Sequence, residues 1–210
     1  SELQQNPVFA QVWPMATAKW KKKGSSWSPL SSPAQAIALM AYTMHELYEE
    51  FNEAVRKAGR SRQEYRDNFH FKALHFLLTQ ALARLRVSQG QKCHNVSRGV
   101  RDIQFRAKPG DTVRFGQFAS TSLSEGTAQL FGTATVFQVY TCHGADIRNF
   151  SSYPKQEEVL IPPFETFKVT SVTSDGKSPR IWLRSVGTRS TYNCEWLRGD
   201  VTEGTTWGDG

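Results

Sequence analysis

Ala134-Thr135-Val136-Phe137-Gln138-Val139-Tyr140-Thr141 decides the fold class of this chain. β-Branched and aromatic residues recur through it with the short-period patterning of a half-buried strand. Outward from it the same composition returns in Thr112–Phe118, Glu158–Ile161, Thr166–Val172 and Arg180–Val186, with Gly and Pro turns between them. Ser124–Phe131 reads as one short helix among these strands. From Cys93 onward the chain is therefore mainly sheet.

Upstream the period changes. Leu47, Phe51 and Val55 share one helical face before Gly59, and Phe71, Leu74, Leu78, Leu82 and Leu85 continue at helical spacing toward Gly90. Thr43 with Glu46, and Ser61 with Glu64, have the spacing of capping boxes, which predicts helix starts at Met44 and just after Ser61. A short helix is expected around Val8–Trp20, followed by an irregular Ser/Pro-rich loop over Ser25–Pro33. The apolar run Ala36–Tyr42 is too short for periodicity to decide, and with a helix beginning at Met44 it reads as a strand. Helices followed by strands, rather than alternating with them, define an α+β class. We expect one domain over 1–210: a mainly helical part at 1–90, a mainly β part at 91–198 and a flexible tail at 199–210.

The 210 residues, 39% hydrophobic and 12% aromatic, are enough to build a substantial core. No apolar run approaches the roughly 20 residues of a membrane-spanning helix. No charged-then-apolar leader follows Ser1 and the Gly199–Gly210 end is polar, so both ends read as processing boundaries. The net charge of +7 is scattered, apart from Lys19, Lys21, Lys22 and Lys23, which argues against nucleic acid and favours anionic small molecules. Cys93, Cys142 and Cys194 lack CxxC spacing, and no His stands at ligand spacing from another donor, so no metal site is assigned. Asn95-Val96-Ser97 and Asn149-Phe150-Ser151 are acceptor triplets for N-linked sugars and suit an extracellular protein.

Three patterns carry chemistry: Asn95-Val96-Ser97-Arg98-Gly99, Arg114-Phe115-Gly116-Gln117-Phe118-Ala119-Ser120-Thr121-Ser122, and Gln156-Glu157-Glu158-Val159-Leu160-Ile161-Pro162-Pro163. A carboxylate at the head of a buried strand, as Glu158 would be, is fixed in direction and suited to stabilise an oxocarbenium-like state. Arg98 offers a planar guanidinium for pyrophosphate or ribose oxygens, and Gly99 a backbone that other groups can approach closely. In order and spacing these patterns resemble the vertebrate ecto-mono-ADP-ribosyltransferases, whose signature is an Arg, a Ser-Thr-Ser-like strand and a Glu-x-Glu pair. Phe69–Phe76 and Ser190–Cys194 extend the resemblance over nearly the whole chain.

The resemblance implies a helical N-terminal layer packed on two mainly antiparallel sheets that form an NAD+ cleft. It implies Arg98, Ser120 and Glu158 as catalytic residues, with Ser120 holding the Glu158 carboxylate. Tyr42, Arg98, Gly99, Gln117 and Ser151 would contact NAD+, which is substrate rather than resident cofactor. It pairs Cys93 with Cys142 and leaves Cys194 for a cysteine outside this stretch. It also implies a cell-surface or secreted protein, expected to be a monomer, with a protein arginine or water as acceptor.

One departure concerns the acceptor. Residues at i and i+2 of an extended segment share a face, so residue 156 is expected beside Glu158. Here it is Gln156, an amide without the charge or basicity that an arginine acceptor needs. Ser97 and Ser152 also stand where family members commonly have aromatics. Weakened arginine transfer with surviving NAD+ hydrolysis is one consequence, and a catalytically silent NAD-binding or surface-recognition protein is the alternative.

Overall fold

The computed structural model describes residues 2–174, 176 and 178–189 and, for the backbone alone, Thr205–Thr206. In chain order its helices are α1 (Glu2–Gln5), α2 (Pro7–Lys23), α3 (Pro33–Tyr42), α4 (His45–Ala58), α5 (Arg62–Asn68), α6 (Lys72–Ser88) and α7 (Glu125–Gln129). Its strands are β1 (His94–Val100), β2 (Thr112–Arg114), β3 (Ala119–Ser122), β4 (Thr135–Thr141), β5 (Ala145–Asp146), β6 (Glu158–Ile161), β7 (Glu165–Ser174), β8 (Pro179–Thr188) and β9 (Thr205–Thr206). The chain resolves into two compact units, Ser1–Gln91 with Ala145–Lys155, and Lys92–Gly144 with Gln156–Gly210. The change of pattern expected after residue 90 falls on their boundary, but Ala145–Lys155 returns to the helical unit.

In that unit the helix ends are satisfied by side chains both near and far in sequence. Asn6 caps α2 by accepting the Phe9 amide at 3.0 Å, and Ser61 caps α5 by accepting the Glu64 amide at 3.0 Å, as its sequence spacing predicts. The first amides of α6 are instead held by Glu2, whose carboxylate accepts from Lys72 N at 2.7 Å and Ala73 N at 2.8 Å. Phe9, Phe51 and Phe71 meet at the centre, with ring centroids 5.4 Å apart for Phe51 and Phe71. Trp20 stacks on Phe150 at 5.6 Å, and the Lys23 ammonium donates to the Asn149 carbonyl at 2.7 Å, so the returning segment is fastened to the end of α2.

Two expectations are corrected here. Ala36–Tyr42 is helix α3, not a strand: Pro33 opens it after the N-cap Ser32, and Ala, Gln, Leu and Met are strong helix formers. Of Ala36–Tyr42 all but Ile37 are buried, which removes the polar face that helical periodicity depends on. Thr43 does not cap α4 either. Met44 occupies the N-cap without a side-chain bond, while the Thr43 hydroxyl donates backward to the Met40 carbonyl at 2.9 Å and accepts the Ser152 amide at 2.9 Å.

In the second unit the hydrogen-bonded strand order runs β6-β3-β1-β4-β8-β7-β2-β9. The pairs β4–β8 and β2–β9 are parallel, and the other pairs antiparallel. The two expected sheets are thus joined in one order, but by a single residue pair, Ser97 opposite Ser122. Strand β2 stops at Arg114, short of the expected Phe118, because Gly116 at φ +72° turns the chain and buries Phe115 and Phe118. Val96, Val100, Phe115, Phe137, Phe167 and Ile181 form the core against one face of the long strands.

Cys93 and Cys142 are disulfide-bonded just beyond His94 opposite Thr141, the terminal pair of β1 and β4. Closing their 49-residue separation contributes about 4 kcal/mol on the chain-entropy argument. At the same end Glu165, wholly buried, accepts from Thr141 Oγ1 at 2.6 Å, Cys142 N at 2.8 Å and His143 N at 3.0 Å. The expected tail and Cys194 lie outside the described residues, the backbone of β9 excepted.

Candidate active site

Antiparallel pairing of β3 with β6 sets Ser122 opposite Glu158 and Ser120 opposite Leu160. Ser120, Ser122 and Glu158 therefore share a face, Ser120 one diagonal step from Glu158. The Ser120 side chain hydrogen-bonds the Glu158 carboxylate. Arg98, from the neighbouring strand β1, donates from Nη1 to the Ser120 carbonyl at 3.0 Å, with its guanidinium 5.8 Å from the centre of the Phe115 ring. The three residues expected to carry catalysis thus form one cluster.

Electrostatics make Glu158 unusual. It is 6% exposed at the head of four buried residues, and this burial pushes its pKa up from 4.5 to about 7, against the opposing effects of the Ser120 hydrogen bond and the Arg98 charge. A carboxyl poised near neutrality beside a fixed cation is an arrangement more common at reactive sites than in structural cores. It is suited to facing a developing positive charge.

Gly99 is required for packing as well. A Cβ at this position would lie 2.3 Å from the carbonyl oxygens of Ala128 and Gly132, so no other residue fits where β1 passes the end of α7. Gly132, at φ +143°, likewise has no room for a Cβ against the Arg101 backbone. Gln117 is buried in the turn between β2 and β3.

The i, i+2 argument for Gln156 is overturned. Pro154–Gln156 forms a 3-10 turn and Glu157 takes a left-handed backbone at φ +48°, so the segment before Glu158 is not extended and strand alternation does not reach it. Ser122 Oγ donates to the Gln156 carbonyl at 2.7 Å, and Leu123 N donates to the Glu157 carbonyl at 3.1 Å. The turn is thus anchored through its backbone, and Gln156 is half-buried. Ser122, the third member of Ser-Thr-Ser, is a positioning residue that the sequence reading left without a role. Thr121 has a similar task, donating to the Val159 carbonyl at 2.6 Å. Ser97, which replaces an expected aromatic, is buried and donates to Gln138 Oε1 at 2.8 Å.

Tyr42 and Ser151 belong to the helical unit. Tyr42 is 1% exposed, accepts the Asn52 amide at 3.0 Å and meets Phe51 edge-on, so its side chain is fixed within that unit. Ser151 is also buried, its hydroxyl accepting the Tyr153 amide at 2.9 Å. A cleft of about 280 Å³ in the same unit, lined by Glu50, Glu53, Glu64 and Lys57 among others, contains none of the expected residues. Among the described residues no three His, Cys, Asp or Glu gather in a way that would hold a metal, and no helix is long and apolar enough to cross a membrane.

Residues 1–191 match the family model described as NAD:arginine ADP-ribosyltransferase. The chain is 50% identical over 199 residues to the erythroblast NAD(P)(+)--arginine ADP-ribosyltransferase of Gallus gallus, covering 92% of this chain and 65% of that protein. It is 50% identical over 210 residues to the GPI-linked NAD(P)(+)--arginine ADP-ribosyltransferase 1 of Mus musculus, covering 94% of this chain and 65% of the relative. It therefore spans about two thirds of the length of these relatives. Among solved structures, the eukaryotic mono-ADP-ribosyltransferase ART2.2 superposes with a TM-score of 0.78 at 35% identity, covering 93% of this chain and 86% of that one. A point mutant of the same enzyme in complex with NAD gives 0.78 at 34% identity, covering 93% and 87%. With the family match running through residue 191 and half of the aligned residues identical to those of the Gallus gallus and Mus musculus relatives, this chain belongs to the NAD:arginine ADP-ribosyltransferase family.

Proposed function

We propose that this chain binds NAD+ as substrate outside the cell, breaks the bond between nicotinamide and ribose, and passes ADP-ribose to an arginine side chain or to water. The observation that carries the reading is Glu158, buried at the head of β6, hydrogen-bonded by Ser120 and within the field of Arg98. As the C1′–N bond breaks, its electron pair leaves with nicotinamide and the ribose carbon becomes cationic. The Glu158 carboxylate stabilises that charge, and the acceptor then bonds to the carbon and loses a proton.

Arg98, with its planar guanidinium, would hold the pyrophosphate or ribose oxygens of NAD+. Tyr42, Gly99, Gln117 and Ser151 are further contacts suggested by the family pattern. The GPI-linked name of the mouse relative supports the cell surface as the place of action.

Gln156, which stands where the family's Glu-x-Glu pattern has its first Glu, sets the balance between acceptors in this proposal, on that pattern rather than on strand geometry. An arginine guanidinium is cationic and needs an anion beside it to be held and deprotonated, which an amide cannot supply, whereas water has no such need. Replacing Gln156 with Glu is expected to raise ADP-ribose transfer to a small guanidine by about 10²-fold and to change NAD+ hydrolysis much less. Efficient arginine transfer by the unaltered chain would remove this role. The missing carboxylate also favours a silent NAD-binding protein as second reading. Chromatographic detection of nicotinamide release from NAD+ separates the two, since a silent protein releases none.

A further inference from the structure

The fold gives the acceptor triplet Asn95-Val96-Ser97 a particular setting. Asn95 is exposed in β1 directly opposite Tyr140 of β4. Tyr140 in turn stands opposite Arg184 of β8, and Arg184 opposite Lys168 of β7. Residues in register point to one face, so these four side chains make a row across four strands with neighbouring Cβ atoms about 5 Å apart. The Arg184 guanidinium lies over the half-buried Tyr140 ring, 4.6 Å from its centre. Trp182, also half-buried, lies one diagonal step away, because it faces Gln138.

We propose that Asn95 carries an N-linked glycan whose first sugar lies across Tyr140, flanked by Arg184, and stabilises this face of the sheet. The chemistry is transfer of an oligosaccharide from a lipid pyrophosphate donor: Asn95 Nδ2 bonds to the anomeric carbon, loses one proton, and the lipid pyrophosphate departs. The ring offers an apolar face to the C–H side of the sugar, and Arg184 and Lys168 offer donors to its hydroxyls. In the folded chain the Ser97 hydroxyl is buried on Gln138, so the sugar must be added before β1 closes on β4. Natural occupancy rests on the extracellular placement proposed above, whereas the fit of the site does not.

The test uses the chain secreted from animal cells behind an added leader, with Asn149→Gln so that Asn95 is the remaining acceptor. Every molecule recovered from the medium has passed the glycosylation machinery, whatever the natural location. Peptide mapping after enzymatic removal of the sugar is expected to find residue 95 converted to Asp in most molecules; an unmodified Asn95 overturns the proposal. Removing the sugar is expected to lower Tm by roughly 2–4 °C. That difference should survive in Tyr140→Phe and fall by more than half in Tyr140→Ala, each compared with and without sugar so that the substitution's own cost cancels. An equal loss in all three backgrounds overturns the assignment to Tyr140.

Discussion

Two carboxylates at opposite ends of one short segment, Glu158 and Glu165, are both buried in the same unit, yet their surroundings differ. Glu165, at the turn into β7, is met by a hydroxyl and two backbone amides within 2.6–3.0 Å. These bonds fasten the end of β4, beside the Cys93–Cys142 disulfide, to the corner that follows β6. Glu158 has the Ser120 hydroxyl and the charge of Arg98, too little to offset its burial, and its pKa is pushed up to about 7. A buried carboxylate surrounded by donors is a fastener, whereas one left short of them keeps a capacity for chemistry.

The largest expected effect separates the pair. Glu158→Gln should reduce nicotinamide release by about 10³-fold, the upper range for removing a single electrostatic contact to a transition state. It should also stabilise the fold at alkaline pH. With the folded pKa raised to about 7 from 4.5, the favourable contribution of Glu158 is fully present below 4.5 and lost as pH rises through 7. The ionised group then costs about 3 kcal/mol, so the variant should melt several degrees higher than the unaltered chain at pH 8 and show little gain at pH 4.5. Equal melting temperatures at pH 8 would show that Glu158 is not held at a cost.

Glu165→Ala should do the reverse, leaving a hydroxyl and two amides unpaired and costing about 3–5 kcal/mol in denaturant unfolding. Nicotinamide release per folded molecule should stay within roughly threefold. A large fall in rate with unchanged stability would erase the distinction between the two residues.

A smaller effect sharpens the view of Glu158. Because the Ser120 hydrogen bond favours the ionised carboxylate, Ser120→Ala should move the midpoint of the pH profile of kcat/KM to higher pH. At neutral pH release should fall by about tenfold, as expected for loss of one hydrogen bond to a charged group. In the unaltered chain kcat/KM should rise through pH 7 as Glu158 ionises. A midpoint unmoved by Ser120→Ala would mean that another group controls the profile.

What the amino-acid sequence determined by itself was whatever depends on neighbours along the chain. Strand composition located β4, β6, β7 and β8, amphipathic spacing located α4 and α6, and Ser61 announced the start of α5. The order of Arg98, Ser120 and Glu158 was readable because each lies inside a local motif. Tertiary structure decided the rest, since burial and long-range hydrogen bonds can override local pattern. Ala36–Tyr42 lost its helical signature because the fold buries almost every side of it. Gln156 left the strand because Ser122 and Leu123 hold its turn in another shape. Glu2 caps a helix that begins at Lys72, and Glu165 binds a turn more than twenty residues before it, at Thr141–His143. No spacing rule encodes such partners, because only the folded chain brings the donors and the carboxylates together.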